Sequence, residues 1–154
     1  MRGCIFCKIV GGKLPAFKVY EDREYLAILD KFPVSRGHVL LMPKEHADNL
    51  TMMSDEAAKE LGTTLKRITR KVDIALKPDG IKVVSNIREA AGQEVFHMHV
   101  HIIPVYGKSS DPYAAEIGVQ RRTRWKDDKG IVPVQRELSR KEASELLKLL
   151  EMKD

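Results

Sequence analysis

The sequence has no long apolar run. None of its segments approaches the roughly 20 apolar residues that a membrane-spanning helix needs. The first ten residues contain only a short apolar stretch, which is too little for a secretory signal. We therefore expect a cytoplasmic protein that has no membrane partner.

Cysteine is also scarce, since Cys4 and Cys7 are the only two in the sequence. So close a pair in a cytoplasmic chain indicates metal binding or redox chemistry rather than a structural disulfide. A redox pair usually needs a thioredoxin-like βαβ context, which is not evident in this sequence. Two unpaired thiols are the remaining interpretation, and the cysteines alone do not decide between these readings.

The sequence lacks a Gly-x-x-x-x-Gly-Lys-Ser/Thr loop as well, which excludes phosphate binding by that route. The net charge of +5 is mild and is compatible with an anionic ligand. The densest basic stretch spans residues 120–129 and contains Trp125. Two aspartates in the same stretch favour a solvated loop over a nucleic-acid contact, so we expect no nucleic-acid partner.

The residues that are present fit a single domain. A chain of 154 residues can bury a core without disulfides. Apolar periodicity and capping residues predict a helical turn over residues 6–10, a long helix from Ser54 to residues 77–80, and a terminal helix after Ser139. Strands are predicted over residues 19–22, 25–30, 38–42, 81–86 and 95–103. Short links between the strands favour an antiparallel α+β domain.

The segment from Phe96 to Ile102 alternates strictly between apolar residues and histidine. Residues two apart in a strand share a face, so His97, His99 and His101 would lie about 6.5–7 Å apart along one side. The alternate positions, Phe96 among them, would face the core. Histidine adds little to a sheet through burial, so three of the five histidines in one row indicate a functional site.

Two chemistries suit such a row of histidines. Neutral imidazoles are common ligands of zinc and copper. Imidazole, with a pKa of about 6.5, is also a nucleophile at neutral pH, and a neighbouring histidine can donate a proton to a leaving group. The loop at residues 91–94, directly before the row, can present backbone amides to an anion.

Three blocks of sequence resemble the histidine triad (HIT) family of nucleotide hydrolases and transferases, in its Hint-like or its general bacterial and archaeal branch. They are GQEVFHMHVHIIP at residues 92–104, PVSRGHVLLMPKEH at 33–46 and CIFCKIV at 4–10. The resemblance covers roughly residues 4–106 of a single domain, and residues 107–154 form a variable segment that ends in the terminal helix. It implies a five-stranded antiparallel sheet with one long central helix and terminal helices, extended across a homodimer.

The resemblance also assigns roles at the site. By position in the motif, His99 would attack the α-phosphorus of a nucleotide and His101 would assist proton transfer. His38 would line the site, and Asp30 would hold the ribose hydroxyls, because a carboxylate can accept from both. The other substrate contacts that the resemblance implies are Ile28 and Leu29 around the base and ribose, and Asn86, Gly92, Gln93, Glu94 and Val95 near the phosphate.

Relatives with the N-terminal cysteine pair are similar in binding zinc through four side chains. The resemblance therefore implies a ligand set of Cys4, Cys7, His46 and His97. Two thiolates and two imidazoles form a closed tetrahedral site, so the zinc would be structural. It would pin the N-terminus beside the active site and contribute to folding.

The implied activity is hydrolysis or transfer at the α-phosphate of a nucleoside phosphoramidate or a related nucleotidyl conjugate, with adenosine favoured, through a covalent nucleotidyl-histidine. A dinucleoside polyphosphate hydrolase is the first alternative. A non-catalytic nucleotide- or zinc-binding regulatory module is the second alternative. Two positions depart from the family pattern. Glu94 stands where some branches have Ser or Thr, and Val105 stands where many relatives have Arg.

Overall fold

The computed structural model describes residues 3–107 and 137–151. Its helices are α1 (Ile5–Val10), α2 (Asp55–Leu76) and α3 (Arg140–Glu151), and its strands are β1 (Lys18–Glu21), β2 (Tyr25–Leu29), β3 (Val39–Pro43), β4 (Gly80–Val84) and β5 (Val100–Val105). Within these ranges, no helix is long and apolar enough to cross a membrane. The basic stretch at 120–129 and most of the predicted variable segment lie outside the described residues.

The strands of the described residues form one antiparallel sheet in the order β1-β2-β3-β5-β4. β2 and β3 pair in constant register, from Tyr25 opposite Pro43 onward. β5 lies between β3 and β4, so His101 is opposite Leu40 on one side and Val84 on the other. The α+β class and the five-stranded antiparallel sheet are therefore confirmed.

Alternation along the strands divides the side chains between two faces of the sheet. One face packs under α2 and α3, and its buried side chains are Tyr25, Ala27, Leu29, Val39, Leu41, Val100 and Ile102. The other face packs against α1 through a second cluster, formed by Phe6, Ile9, Leu26, Ile28, Leu40 and Met42. A helix of six residues is unstable alone, and each large apolar side chain buried contributes about 1.5–3 kcal/mol. This second cluster therefore holds α1 on the sheet.

The long and terminal helices begin where the sequence predicts them. The side chain of Ser54 accepts a hydrogen bond from the amide of Ala57 at the start of α2. Buried residues then recur at steps of three and four: Leu61, Thr64, Ile68, Val72 and Leu76. At the start of α3, the amide of Glu142 donates to Ser139 Oγ (3.3 Å) and the Ser139 amide donates to the Glu142 carboxylate (3.2 Å).

The strand that carries the histidines is shorter at its start than predicted. β5 begins at Val100 rather than at residue 95, so only His101 of the three histidines lies within a strand. At its other end, β5 continues past the predicted end at residue 103, through Pro104 to Val105.

A bend in the chain before β5 explains the difference. The amide of His97 donates to the carbonyl of Val95 (2.9 Å), which closes a tight turn instead of joining a neighbouring strand. The amide of Met98 then donates to the carbonyl of Ala47 (2.6 Å). Met98 is buried as the alternation predicts, but Phe96 is 48% exposed, so its predicted place in the core is wrong.

Candidate functional site

The three histidines of the motif are buried on the sheet face that carries α1. His97 is fully buried, and His99 and His101 expose 7% and 4% of their surface. The rings of His99 and His101 are neighbours, with centroids 4.9 Å apart, whereas the ring of His97 lies against that of His46 at 5.0 Å. Phe6 of α1 packs edge-on against both His97 (5.9 Å) and His99 (5.1 Å). The row therefore divides into two groups with different partners.

The first group is a cluster of Cys4, Cys7, His46 and His97, in which one donor atom of each lies within 4.8 Å of the others. The two histidine Nδ1 atoms are 3.2 Å apart, and Cys7 Sγ lies 3.2 Å from His46 Nδ1 and 3.5 Å from His97 Nδ1. Cys4 Sγ is also 3.5 Å from His97 Nδ1. A tetrahedral zinc with Zn–S of about 2.3 Å and Zn–N of about 2.0–2.1 Å has edges of roughly 3.3–3.8 Å between ligand atoms. The four donors therefore fit a tetrahedral ion.

Hydrogen bonds outside the cluster turn both imidazoles toward it. His97 Nε2 donates to the carbonyl of Pro43 (2.8 Å), and His46 Nε2 lies 3.1 Å from Asp48 Oδ1. Each ring therefore directs Nδ1 into the cluster, as metal-ligating histidines do. Burial lowers the pKa of His97, which favours the neutral ring that a metal ion requires.

The closeness of the two cysteine thiols favours a bound cation. Burial raises the pKa of the Cys7 thiol, and the neighbouring Cys4 raises it further. Two thiolates so close together repel each other, and a coordinated divalent cation offsets that repulsion. The residues present therefore suit a metal ion by donor type, spacing and charge.

The second group contains His99, whose tautomer is fixed by the backbone. His99 Nδ1 lies 2.7 Å from the carbonyl oxygen of His97, which can only accept, so the ring donates from Nδ1. The neutral ring then carries its lone pair on Nε2. The carbonyl of His99 accepts a hydrogen bond from Ser85 Oγ (2.9 Å), which ties the chain after β4 to the start of β5. His97 thus serves both groups, through its ring in one and its carbonyl in the other.

His101 continues into a buried row of polar groups. Its Nδ1 lies 3.0 Å from His38 Nε2, and His38 Nδ1 lies 3.3 Å from Asp30 Oδ2. The amide of Phe32 donates to the other oxygen of Asp30 (2.9 Å). The amide of Val34 also approaches His38 Nδ1 at 3.4 Å, but a carboxylate is the stronger hydrogen-bond partner of the two. The carboxylate therefore orients His38, and His38 orients His101.

Ile28 and Leu29 were both expected to line the base and ribose pocket, but the structure separates them. Ile28 belongs to the cluster that packs against α1, on the face of the histidines. Leu29 points into the main core under α2. Adjacent residues of a strand face opposite sides of the sheet, so the prediction for Leu29 is wrong.

The loop between β4 and β5 carries the predicted phosphate contacts. Asn86 Nδ2 donates to the carbonyl of Gly92 (3.2 Å), and Gly92 has a φ of 86°, which favours glycine. Glu94 is exposed, and Val95 is half-buried beside the cluster around α1. The loop is therefore folded on itself, with its end at the histidine face.

The side chain of Gln93 is used within the protein. Gln93 is only 3% exposed, and its Nε2 donates to the carbonyls of Asp48 and Val95. Its Oε1 accepts from the amide of Arg88 (2.8 Å). Gln93 therefore joins the loop after β4 to the chain that follows His46. Its side chain holds these backbone segments in place.

Three residues of the site were not found by sequence reasoning. Asp48 lies two positions after the predicted ligand His46, and a carboxylate so near a ligating histidine was a usable signal. Phe6 and Ser85 carry no such signal, because their roles depend on the packing of α1 and on the end of β4.

Comparison of sequences gives a consistent family. A family model described as the HIT domain matches residues 12–108. The Protein hit of Bacillus subtilis (strain 168) is 47% identical over 107 residues, which are 70% of this chain and 74% of that relative. An uncharacterized HIT-like protein of Saccharolobus solfataricus is 42% identical over 108 residues, covering 70% of this chain and 78% of that relative.

Solved structures agree with the sequence comparison. A hypothetical histidine triad nucleotide-binding protein from Sulfolobus tokodaii superposes with a TM-score of 0.78 at 33% identity, covering 97% of this chain and 90% of that one. A Zn-bound histidine triad family protein from Mycobacterium smegmatis gives 0.71 at 32% identity, covering 98% and 95%. A HIT family hydrolase from Legionella pneumophila gives 0.63 at 32% identity, covering 71% and 99%. With the family model matching well over half of its length, the chain belongs to the HIT family.

Proposed function

We propose that this protein transfers a nucleoside monophosphate, with adenosine favoured, from a phosphoramidate or a related conjugate to water through a covalent intermediate on His99. The observation that carries the proposal is the 2.7 Å contact between His99 Nδ1 and the carbonyl of His97. A neutral imidazole held in that tautomer has its lone pair on Nε2 and needs no base before it attacks phosphorus.

Two displacements complete the reaction. His99 Nε2 attacks the α-phosphorus, a P–N bond forms, and the bond to the leaving group breaks. His101 enters the cycle protonated on both ring nitrogens, and it gives its Nε2 proton to the leaving nitrogen or oxygen; its ring lies 4.9 Å from that of His99. Water then attacks the phosphorus and gives a proton to His101. The bond to His99 breaks, the nucleoside monophosphate leaves, and both histidines return to their starting states.

We propose the remaining substrate contacts from the sheet face or loop on which each residue lies. Asp30 orients His38 through one oxygen, and its two oxygens have enough lone pairs to accept from ribose hydroxyls as well. His38 positions His101. We assign the base to the side of Ile28, and the phosphate and leaving group to Asn86, Gly92, Glu94 and Val95. Gln93 would act by holding this loop.

We further propose that Cys4, Cys7, His46 and His97 hold one structural zinc. The tetrahedral spacing of the donors supports it, as does the Zn-bound relative from Mycobacterium smegmatis. All four positions would be filled by protein, so the ion would organise the N-terminus and His97 without contacting substrate. Thiolate ligands at this site also suit a reducing cytoplasm.

A substrate panel tests the proposed activity. The protein is assayed with an adenosine phosphoramidate and with a diadenosine polyphosphate under the same conditions, and release of AMP is measured. We expect AMP from at least one, with a higher kcat/KM for the phosphoramidate. A higher value for the polyphosphate would favour the alternative hydrolase. Nucleotide binding without any turnover would contradict the enzyme and favour a regulatory module.

We also propose that the sheet extends across a homodimer through β4. In the part of the chain that the structure describes, β4 is an edge strand, and Val83 on it is 43% exposed. Light scattering after size exclusion should give twice the mass of the chain, and Val83→Lys should shift the protein toward the monomer, because it places a charge at the contact. A monomeric wild-type protein at micromolar concentration would contradict this arrangement.

A further inference from the structure

Arg88 holds an unusual backbone conformation. Among the described residues other than glycine, only Lys77 and Arg88 have a positive φ. Lys77 ends α2 in the left-handed helical region, at φ 47° and ψ 53°, as helix ends commonly do. Arg88 has φ 71° and ψ 164°, a region that essentially only glycine occupies. An arginine here is strained, and strained residues concentrate at functional sites.

Several hydrogen bonds hold Arg88 in this conformation. Its amide donates to Gln93 Oε1 (2.8 Å), and its carbonyl accepts from the amides of Gln93 (3.2 Å) and Ala91 (3.1 Å). Gln93 is itself buried and bound to the carbonyls of Asp48 and Val95. The position of the Arg88 backbone is therefore set by the surrounding structure.

The loop that carries Arg88 lies against the nucleophile candidate. Ser85 at its start donates to the carbonyl of His99 (2.9 Å), and Asn86 is tied to Gly92 across the loop. Arg88 is three residues beyond Ser85, which limits their Cα atoms to a separation of about 11 Å. The side chain of arginine is long enough to span much of that distance.

The charge of Arg88 is available for an anionic ligand. It is the only Lys or Arg between residues 83 and 107, and it is exposed. Glu89 and Glu94 lie in the same loop, but neither forms an ion pair with Arg88 within residues 3–107 and 137–151. A guanidinium is suited to bind phosphate oxygens through two parallel hydrogen bonds.

We propose that Arg88 is a specificity-determining residue that binds the phosphates of the leaving group. It would thereby favour dinucleoside polyphosphates, whose leaving group is anionic, over substrates with a neutral amine leaving group. This inference rests on the proposed reaction at His99. It does not require the polyphosphate to be the better of the two substrates, only that Arg88 improves its use.

The test compares Arg88→Gln with wild type on two substrates. We expect kcat/KM for a diadenosine polyphosphate to fall about tenfold, as for one lost charge-assisted contact, and that for an adenosine phosphoramidate to change less than about twofold. Arg88→Lys should keep part of the preference, since it keeps the charge but loses the planar fork. Arg88→Gly should lose the preference and raise the Tm, because it removes the strain along with the charge.

Arg23→Gln is the matched control, because Arg23 lies in the β1–β2 turn with 95% of its side chain exposed and the variant loses the same charge. It should leave both substrates unchanged. Equal losses on both substrates in Arg88→Gln, or no loss, would overturn the proposal. A binding measurement with inorganic tripolyphosphate separates it from the proposed reaction. If neither substrate is turned over, weaker binding by Arg88→Gln than by Arg23→Gln still supports the role of Arg88, and equal binding rejects it.

Discussion

Replacing His99 with alanine should lower kcat by at least about 1,000-fold on every substrate, because it removes the group that forms the covalent bond to phosphorus. His99 is the residue whose Nδ1 is held by the carbonyl of His97, and no other imidazole in the described ranges has this arrangement with His101 beside it. Single-turnover kinetics with excess enzyme would measure the loss in the chemical step directly.

Two controls make the His99→Ala result specific. The variant should keep its zinc, because His99 is not among the four residues of the metal cluster. Its Tm should stay within a few degrees of wild type. Turnover near the wild-type rate in His99→Ala would refute the covalent mechanism, and loss of zinc with His99 would instead favour a reading in which the histidine row is a metal cluster.

Replacing Cys7 with alanine should have the second large effect. Cys7 Sγ lies within 3.5 Å of the Nδ1 atoms of both histidines in the cluster, so the variant leaves three ligands and an open position. We expect elemental analysis to fall from about one zinc per chain to well below that. The free energy of unfolding should fall by several kcal/mol, which corresponds to a drop in Tm of about 10 °C or more.

Loss of zinc should also affect the proposed nucleophile His99, because His97 belongs to both groups. The ring of His97 is a proposed ligand, and its carbonyl fixes the tautomer of His99. We therefore expect Cys7→Ala to lower kcat by a larger factor than it changes KM. Ser144→Ala is the control, because Ser144 is exposed on α3 and far in sequence from the metal cluster. This variant should change neither the zinc content nor kcat. Wild-type zinc content in Cys7→Ala would contradict the ligand set.

The sequence predicted the faces of this protein better than the ends of its strands. The alternation of Met98, Val100 and Ile102 gave the buried side correctly, because strand periodicity fixes the face of every second residue. It did not predict the turn between Val95 and His97, which depends on a hydrogen bond that joins Met98 to the distant residue Ala47. A backbone hydrogen bond between residues far apart in sequence does not change the local pattern of apolar residues, so the pattern cannot predict it.

The candidate site divides in the same way. The spacing of the histidines pointed to a functional row, but grouping His97 with His46 and the cysteines required resemblance to a family, since 51 positions separate the two histidines. The link from Asp30 through His38 to His101 was not anticipated, because a loop brings the carboxylate back to the next strand. The prediction for Leu29 failed because it ignored the alternation of side chains along a strand, which places Leu29 and Ile28 on opposite faces of the sheet.

The most direct test of the central claim is mass spectrometry of a reaction quenched in its first turnover. The intact protein should gain the mass of one nucleoside monophosphate, and peptide mapping under conditions that preserve the acid-labile P–N bond should place it on His99. The adduct should be absent from His99→Ala. An adduct on His97 or His101, or rapid turnover by wild type with no adduct at any time, would contradict the account.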